Sequence, residues 1–135
     1  MGYMVMDTKS AEMLEFPKLL DILAGFTSFS VSRYLAENLK PQNEREIISL
    51  LLRQSAEARN LLSFEPDFAI GQPVDARETV RMTTLGKVLE PASLLDVRSI
   101  LLAAGLMNST IREHSAEIPC LWDIARQIVV LPQLA

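Results

Sequence analysis

Apolar residues recur at the spacing of an α-helix along almost the whole chain. The pattern begins with four residues near the amino terminus: Phe16, Leu19, Leu20 and Leu23. The alternating pattern of a half-buried strand never persists for more than a few residues. Only residues 128–131 (IVVL), with their β-branched side chains, favour a strand locally. The spacing therefore predicts an all-α fold.

Capping and breaking residues divide this pattern into about six helices that can pack as a compact bundle. The second of these helices starts at one of Ser28, Ser30 or Ser32, because each serine is a competent N-cap. The expected elements are 16–25, a helix from one of those serines to Pro41, 44–64, a helix capped by Asp75 and ending at Gly86, 91–113, and a helix from Pro119 that stops before Pro132.

Two of the predicted helices are long. Residues 44–64 contain no Gly or Pro, and Asn43 with Glu46 three residues later forms a variant of the capping box. Residues 91–113 are apolar nearly all round between positions 100 and 107. A helix of that kind is expected to be central and enclosed by other elements.

The composition excludes several classes of protein. A chain of 135 residues suits one domain, and a single cysteine excludes a disulfide scaffold. A net charge of −4 and a pI of about 5.0 argue against binding nucleic acid through overall charge. The longest apolar run, residues 100–107, is eight residues long, whereas a membrane span needs about 20. With no secretory signal at the start, we expect a cytoplasmic protein without membrane contact.

No set of residues points to catalysis, a cofactor or a metal. His114 is the only histidine, and together with Cys120 it offers too few ligands for a metal site. Its position at the end of a predicted helix suits a structural interaction with the helix dipole. Cys120 follows Pro119 at a predicted helix N-terminus, a place that can lower a thiol pKa, but its apolar neighbours Leu121 and Trp122 favour a buried, inert thiol. We therefore predict no catalytic, cofactor-binding or metal-binding residue in this segment.

One group of basic residues is a candidate for nucleic-acid contact. Arg77 and Arg81 share a helix face at i, i+4, and Lys87 lies just beyond them. Such residues can contact phosphates. Asp75 and Glu78 stand among them, so a solvated, internally neutralised helix face is the stronger alternative.

Several stretches resemble the bacterial type-2 MutS proteins, in the same order and spacing. Residues 14–24 (LEFPKLLDILA) resemble the opening LEF-x-K-[IL]-L-x-x-[IL]-A of that family, and residues 55–62 (SAEARNLL) resemble its T/S-x-E-A-R-x-L-L signature. Pro17 and Ser93 depart from the polar and acidic residues usual at those positions. Further similar stretches are residues 32–41, 74–77 (VDAR), 86–95 (GKVLEPASLL) and 118–134 with its closing LPQL.

The resemblance covers about residues 14–134 and implies a helical core, or lever, segment of a longer MutS-like protein. It divides the chain into a flexible extension, 1–13, and the lever segment, 14–135. For the whole protein it implies ATP and Mg, a clamp and a dimerising ATPase domain, and usually an Smr nuclease domain. It further implies binding of branched or duplex DNA, restraint of homologous recombination and action on stalled ribosomes. None of the family's ATP-binding or nuclease motifs has a counterpart in these residues.

The alternative is a self-contained helical module that binds a partner helix in a groove. The two hypotheses differ in their surfaces, because a fragment exposes apolar area that a complete domain would bury. We expect such area at residues 128–131 and 68–70. A small enzyme is disfavoured, since no acid–base pair is visible in the sequence.

Overall fold

The structure is a computed structural model and describes residues 7–68 and 74–134. These residues form seven α-helices and one 3-10 helix, and they contain no strand. The all-α prediction is therefore confirmed for the described chain. In order, the elements are α1 (Thr8–Met13), α2 (Phe16–Gly25), α3 (Ser30–Glu37), α4 (Arg45–Phe64), α5 (Arg77–Thr84), α6 (Pro91–Glu113), α7 (Pro119–Ala125) and η1 (Pro132–Leu134).

The chain divides into two compact units, Met1–Ile48 and Ser49–Ala135, and the division falls within α4. In unit 1, α2 packs against both α1 and α3. Each helix of the α2–α3 hairpin buries one small residue, Ala24 in α2 and Ala36 in α3. Small side chains at such positions let two helices approach closely.

Helix α1 lies inside the segment predicted to be a flexible extension. Its amino end is capped by Asp7, whose Oδ1 accepts a hydrogen bond from the Ser10 N–H at 2.8 Å. That bond holds the pKa of the Asp7 carboxyl below its usual value. Glu15, with φ of 56°, takes the left-handed conformation between α1 and α2 and separates the two helices. The division of the chain at residue 14 stays a prediction.

Unit 2 contains the larger apolar core. Its buried members come from three helices and the turn before α7: Leu61, Ile111, Ile118 and Ala125. Ile118 is 0% exposed. Partly buried side chains that pack around them are Phe68, Met107, Leu121, Trp122 and Ile128. The core thus joins the carboxyl ends of α4 and α6 to α7.

Helix boundaries follow the predicted ones with small shifts. The first predicted helix, 16–25, is α2 residue for residue. Helix α3 begins at Ser30, but Phe29 holds the N-cap position and no side chain caps it. Helix α4 begins one residue later than predicted. The Glu44 carbonyl accepts the Ile48 N–H at 3.0 Å, so the N-cap residue is Glu44 and not Asn43. Residues 128–131 form no strand.

The predicted enclosure of α6 is wrong. Ile111 is its only buried residue, while Leu95, Leu102 and Leu106 remain exposed. Helix α6 packs against α7 and η1, and these short elements cover one side of it. An apolar helix is expected to be covered by other side chains. Its composition does not show whether those side chains belong to this chain.

By length and composition, α6 is the one described helix that could cross a membrane. This property is weak evidence by itself, because helices that pack inside soluble proteins share it. Absence of membrane contact therefore stays an expectation from the sequence.

Candidate functional site

The predicted nucleic-acid residues lie on and just after α5, a helix with no buried residue. Arg77 Nε and Nη2 donate to the Asp75 carboxylate, with Nε–Oδ1 at 2.9 Å. Arg81 pairs with Glu78 through Nε at 2.8 Å and Nη2 at 2.7 Å. Lys87 is exposed beyond the end of the helix.

These ion pairs change the charge that α5 presents. Hydrogen bonding and then the charge of Asp75 raise the pKa of Arg77, and hydrogen bonding from Arg81 lowers the pKa of Glu78. Each guanidinium group therefore has a carboxylate partner, as is expected of a helix face whose charges neutralise one another. Contact with nucleic acid through Arg77, Arg81 and Lys87 stays a prediction.

The most constrained side chain in the described residues is Glu57, on α4. It is 6% exposed and is the one buried charged residue among those described. Its Oε2 accepts a hydrogen bond from the Leu121 backbone N–H at 2.9 Å. Leu121 is the third residue of α7, where the backbone N–H has no partner within the helix. Glu57 thus caps α7 from another helix, and its negative charge suits the positive end of the helix dipole.

At the carboxyl end of α7, a side chain donates a hydrogen bond to the backbone instead of accepting one. Asn108, on α6, donates a hydrogen bond from Nδ2 to the Ala125 carbonyl oxygen at 2.8 Å. The last carbonyls of a helix have no intrahelical donor, so an amide donor is the complementary group at this end. We call Glu57 and Asn108, with the two α7 groups that they bind, the α7 brace.

Cys120 lies beside the brace and is half-buried. Its hydrogen bond to Glu57 raises the pKa of the thiol, burial and the Glu57 charge act in the same direction, and Arg53 opposes them. A negative carboxylate therefore outweighs the tendency of a helix N-terminus to stabilise a thiolate. This environment favours the inert thiol over the reactive one.

His114 joins the same junction as the C-cap residue of α6. Its Nε2 lies 3.0 Å from Glu65 Oε1 just after α4, and its ring lies 4.4 Å from the ring of Phe64 between centroids. Its carbonyl oxygen accepts the N–H groups of Glu117 and Ile118. The only histidine therefore has a structural role where α4, α6 and α7 meet. No group of three or more His, Cys, Asp or Glu in the described ranges could hold a metal.

The predicted apolar patches have different outcomes. Val129, Val130 and Leu131 are exposed, which confirms the first patch, although Ile128 packs against the core. Phe68 also packs against that core, so the second patch is wrong at this residue. The local sequence could not show that the turn after α4 folds back onto the core of unit 2. Residues 69–70 lie outside the described part of the chain.

Comparison with known proteins finds relatives named Endonuclease MutS2. The chain is 33% identical over 135 residues to the Endonuclease MutS2 of Thermomicrobium roseum, and 29% identical over 129 residues to that of Pelotomaculum thermopropionicum. A third relative, from Ruminiclostridium cellulolyticum, is 28% identical over 117 residues. The alignments cover 84–96% of this chain.

The chain is related to a segment of these MutS2 proteins. It spans only 15–17% of the length of these three MutS2 relatives. No protein-family model matches it, and no solved structure matches it. The predicted resemblance to the type-2 MutS family is therefore confirmed at the level of a segment.

The sequence pointed to Glu57 only as part of the MutS2-like stretch 55–62. Nothing in its neighbourhood distinguishes it from the solvated carboxylates of α4, because its partner lies 64 positions away. Asn108 directly follows the apolar run 100–107 and binds a residue 17 positions away, so no local pattern predicts its partner.

The α7 brace predicts a stability order. We expect Glu57→Ala to lower the free energy of unfolding by about 1.5–3 kcal/mol, since it removes a charged acceptor from the partly buried Leu121 N–H. Asn108→Ala should cost about 0.5–1.5 kcal/mol, as for an uncharged hydrogen bond. Urea denaturation followed by fluorescence of Trp122, the only tryptophan and a residue of α7 itself, measures both. The matched control is Glu46→Ala on the exposed first turn of α4. Equal losses for Glu57→Ala and the control would contradict the brace.

The raised pKa of Cys120 predicts a pH profile for alkylation. Because the thiolate is the reactive form, the rate of alkylation by iodoacetamide should rise at a higher pH than it does for a thiol with an unperturbed pKa. Glu57→Gln removes the negative charge and keeps the shape, so it should move the profile to lower pH. Glu46→Gln should leave the profile in place. A profile that Glu57→Gln does not shift would show that Glu57 does not control the thiol.

Proposed function

We propose that this chain is a non-catalytic helical core, or lever, segment of a MutS2-type protein. The observation that carries the proposal is the 33% identity to the Thermomicrobium roseum MutS2, which extends over 96% of this chain but 17% of that relative. Such coverage is expected of one segment within a larger machine.

The mechanical role rests on the junction in unit 2. A helix of seven residues is not stable alone, yet α7 is fixed to α4 at one end and to α6 at the other. The two long helices therefore cannot slide past one another without breaking the brace or opening the core. We propose that this junction transmits motion from an ATPase domain to a clamp through the α4–α6 pair.

The remaining properties belong to the whole protein that we propose. They are ATP and Mg binding, a homodimer, an Smr nuclease domain, binding of branched or duplex DNA, restraint of recombination, action on stalled ribosomes and a cytoplasmic location. Their support is the relation to proteins named Endonuclease MutS2. Within this chain, phosphate contact by Arg77 or Arg81 would have to displace Asp75 or Glu78 from its ion pair.

The exposed apolar side chains favour a segment over a self-contained interaction module. In unit 1, the side chains of Leu19 and Ile22 on α2 and of Phe26 directly after it are exposed. In unit 2, the exposed leucines of α6 add to the exposed valines after α7. In a complete monomeric protein, more of these large apolar side chains are expected to be covered.

A chimera tests the proposal. This chain would replace the matching segment of the Thermomicrobium roseum Endonuclease MutS2, and the nuclease activity stated by that name would be assayed. We expect the chimera to retain activity, and Glu57→Ala within it to lower the rate at least about tenfold, which corresponds to ~1.4 kcal/mol of lost coupling. Glu46→Ala is the matched control and should have no effect. The purified chain alone, assayed in parallel, should neither hydrolyse ATP nor cut DNA.

Three results would contradict the proposal. An inactive but folded chimera would mean that the chain does not replace the segment to which it is related. Equal activity of the Glu57→Ala and Glu46→Ala chimeras would remove the mechanical role of the brace. ATP turnover that scales with the concentration of the purified chain would show that the segment is itself catalytic.

A further inference from the structure

The chain after α7 runs back along α6. Asn108 of α6 binds the Ala125 carbonyl oxygen. Three residues earlier on α6, Gly105 faces Val130, whose Cγ1 lies 3.7 Å from the position of a Cβ on that glycine. Later residues of the segment thus lie beside earlier residues of α6, so the segment runs toward the amino end of that helix. Helix η1 also contacts α6. We call residues 129–134 the strap.

The strap is held less firmly than the residue directly before it. Ile128 packs against the core of unit 2, and its N–H donates to a carbonyl of α7 at 3.0 Å. In the part of the chain that the structure describes, no hydrogen bond or ion pair joins residues 129–133 to another element. Val129, Val130 and Leu131 are 73%, 41% and 39% exposed. Segments with few buried contacts and no such bonds open most readily.

We propose that the strap is a displaceable cover on α6, which moves away about the junction between Ile128 and Val129 while the core of unit 2 stays folded. In the closed state, the strap occupies the stretch of α6 at Gly105. In the open state, the same stretch is available to another apolar element. The strap is thus an autoinhibitory contact, because it competes with any such element for one surface.

Gly105 is the position on α6 that admits the strap. It is the only residue of that helix without a side chain, and glycine is unfavourable inside a helix relative to alanine. A methyl group at this position would be in ordinary contact with Val130 at 3.7 Å. A longer side chain would need the space that Val130 occupies. The closed state therefore tolerates a small side chain at position 105 and not a large one.

Two substitutions at Gly105 test whether the strap can be displaced. Gly105→Ala leaves room for Val130 and Gly105→Leu does not, while alanine and leucine both favour a helix. Thermolysin cleaves before accessible apolar residues such as 129–131, and its rate follows the population of the open state. We expect thermolysin to cut the strap at least about tenfold faster in Gly105→Leu than in Gly105→Ala. Trp122 fluorescence should be the same in both variants, since Ile128 keeps its place in the core.

One substitution at two neighbouring valines tests what the strap covers. Val130→Asp should release the strap, because a carboxylate would lose water against α6. The dye 1-anilinonaphthalene-8-sulfonate, which binds exposed apolar surface, should then bind more strongly than to the wild-type chain. Val129→Asp is the matched control, since it adds the same charge at a more exposed residue. It should leave dye binding unchanged.

Equal cleavage of the strap in Gly105→Leu and Gly105→Ala would overturn the proposal, and so would equal dye binding by the two valine variants. A loss of the folded-state Trp122 fluorescence in Gly105→Leu would also overturn it, because the strap would then be part of the core. This inference concerns the chain by itself and does not rest on the proposed function. Each of these results therefore leaves the relation to MutS2 unaffected.

Discussion

The hydrogen bond from the Leu121 N–H to the Glu57 carboxylate is the contact on which the larger unit depends. It gives a partner to a partly buried N–H at the end of a helix, and it places the buried Glu57 carboxylate at the positive end of the helix dipole. Helix α7 is too short to form alone, and it is stabilised by Glu57 at one end, Asn108 at the other and the apolar core beneath. Without these contacts, Ile118 would lose the core in which it is fully buried.

The same contacts restrict how the helices of unit 2 can move relative to one another. Two long helices that meet only through apolar side chains can change their relative position at modest cost, because such contacts are not directional. Polar contacts with fixed geometry at both ends of α7 restrict that movement. His114 adds a third contact between α4 and the α6–α7 turn. A junction restricted in this way is what a MutS2-related segment needs if its task is to transmit motion.

The local features of the fold could be predicted from the sequence, and the contacts between distant residues could not. Helix α2 begins and ends where its apolar spacing and Gly25 predict, because the signals for both ends lie within it. Helix α1 was missed because six residues capped by Asp7 show no apolar stripe. The partners of Glu57 and Asn108 are distant in sequence, so no local pattern predicts them. The prediction that α6 is enclosed was wrong for the same reason, because the elements that would cover a helix lie elsewhere in the sequence.

Native-state hydrogen exchange at the Leu121 amide tests the central claim most directly. An N–H in the first turn of a helix has no intrahelical acceptor and exchanges rapidly unless something else binds it. The brace predicts strong protection of Leu121 in the wild-type chain. It also predicts loss of that protection in Glu57→Ala, while the amide of Leu61 in α4 stays protected. Rapid exchange of Leu121 in the wild type, or equal protection in Glu57→Ala, would contradict the claim that Glu57 holds α7 in place.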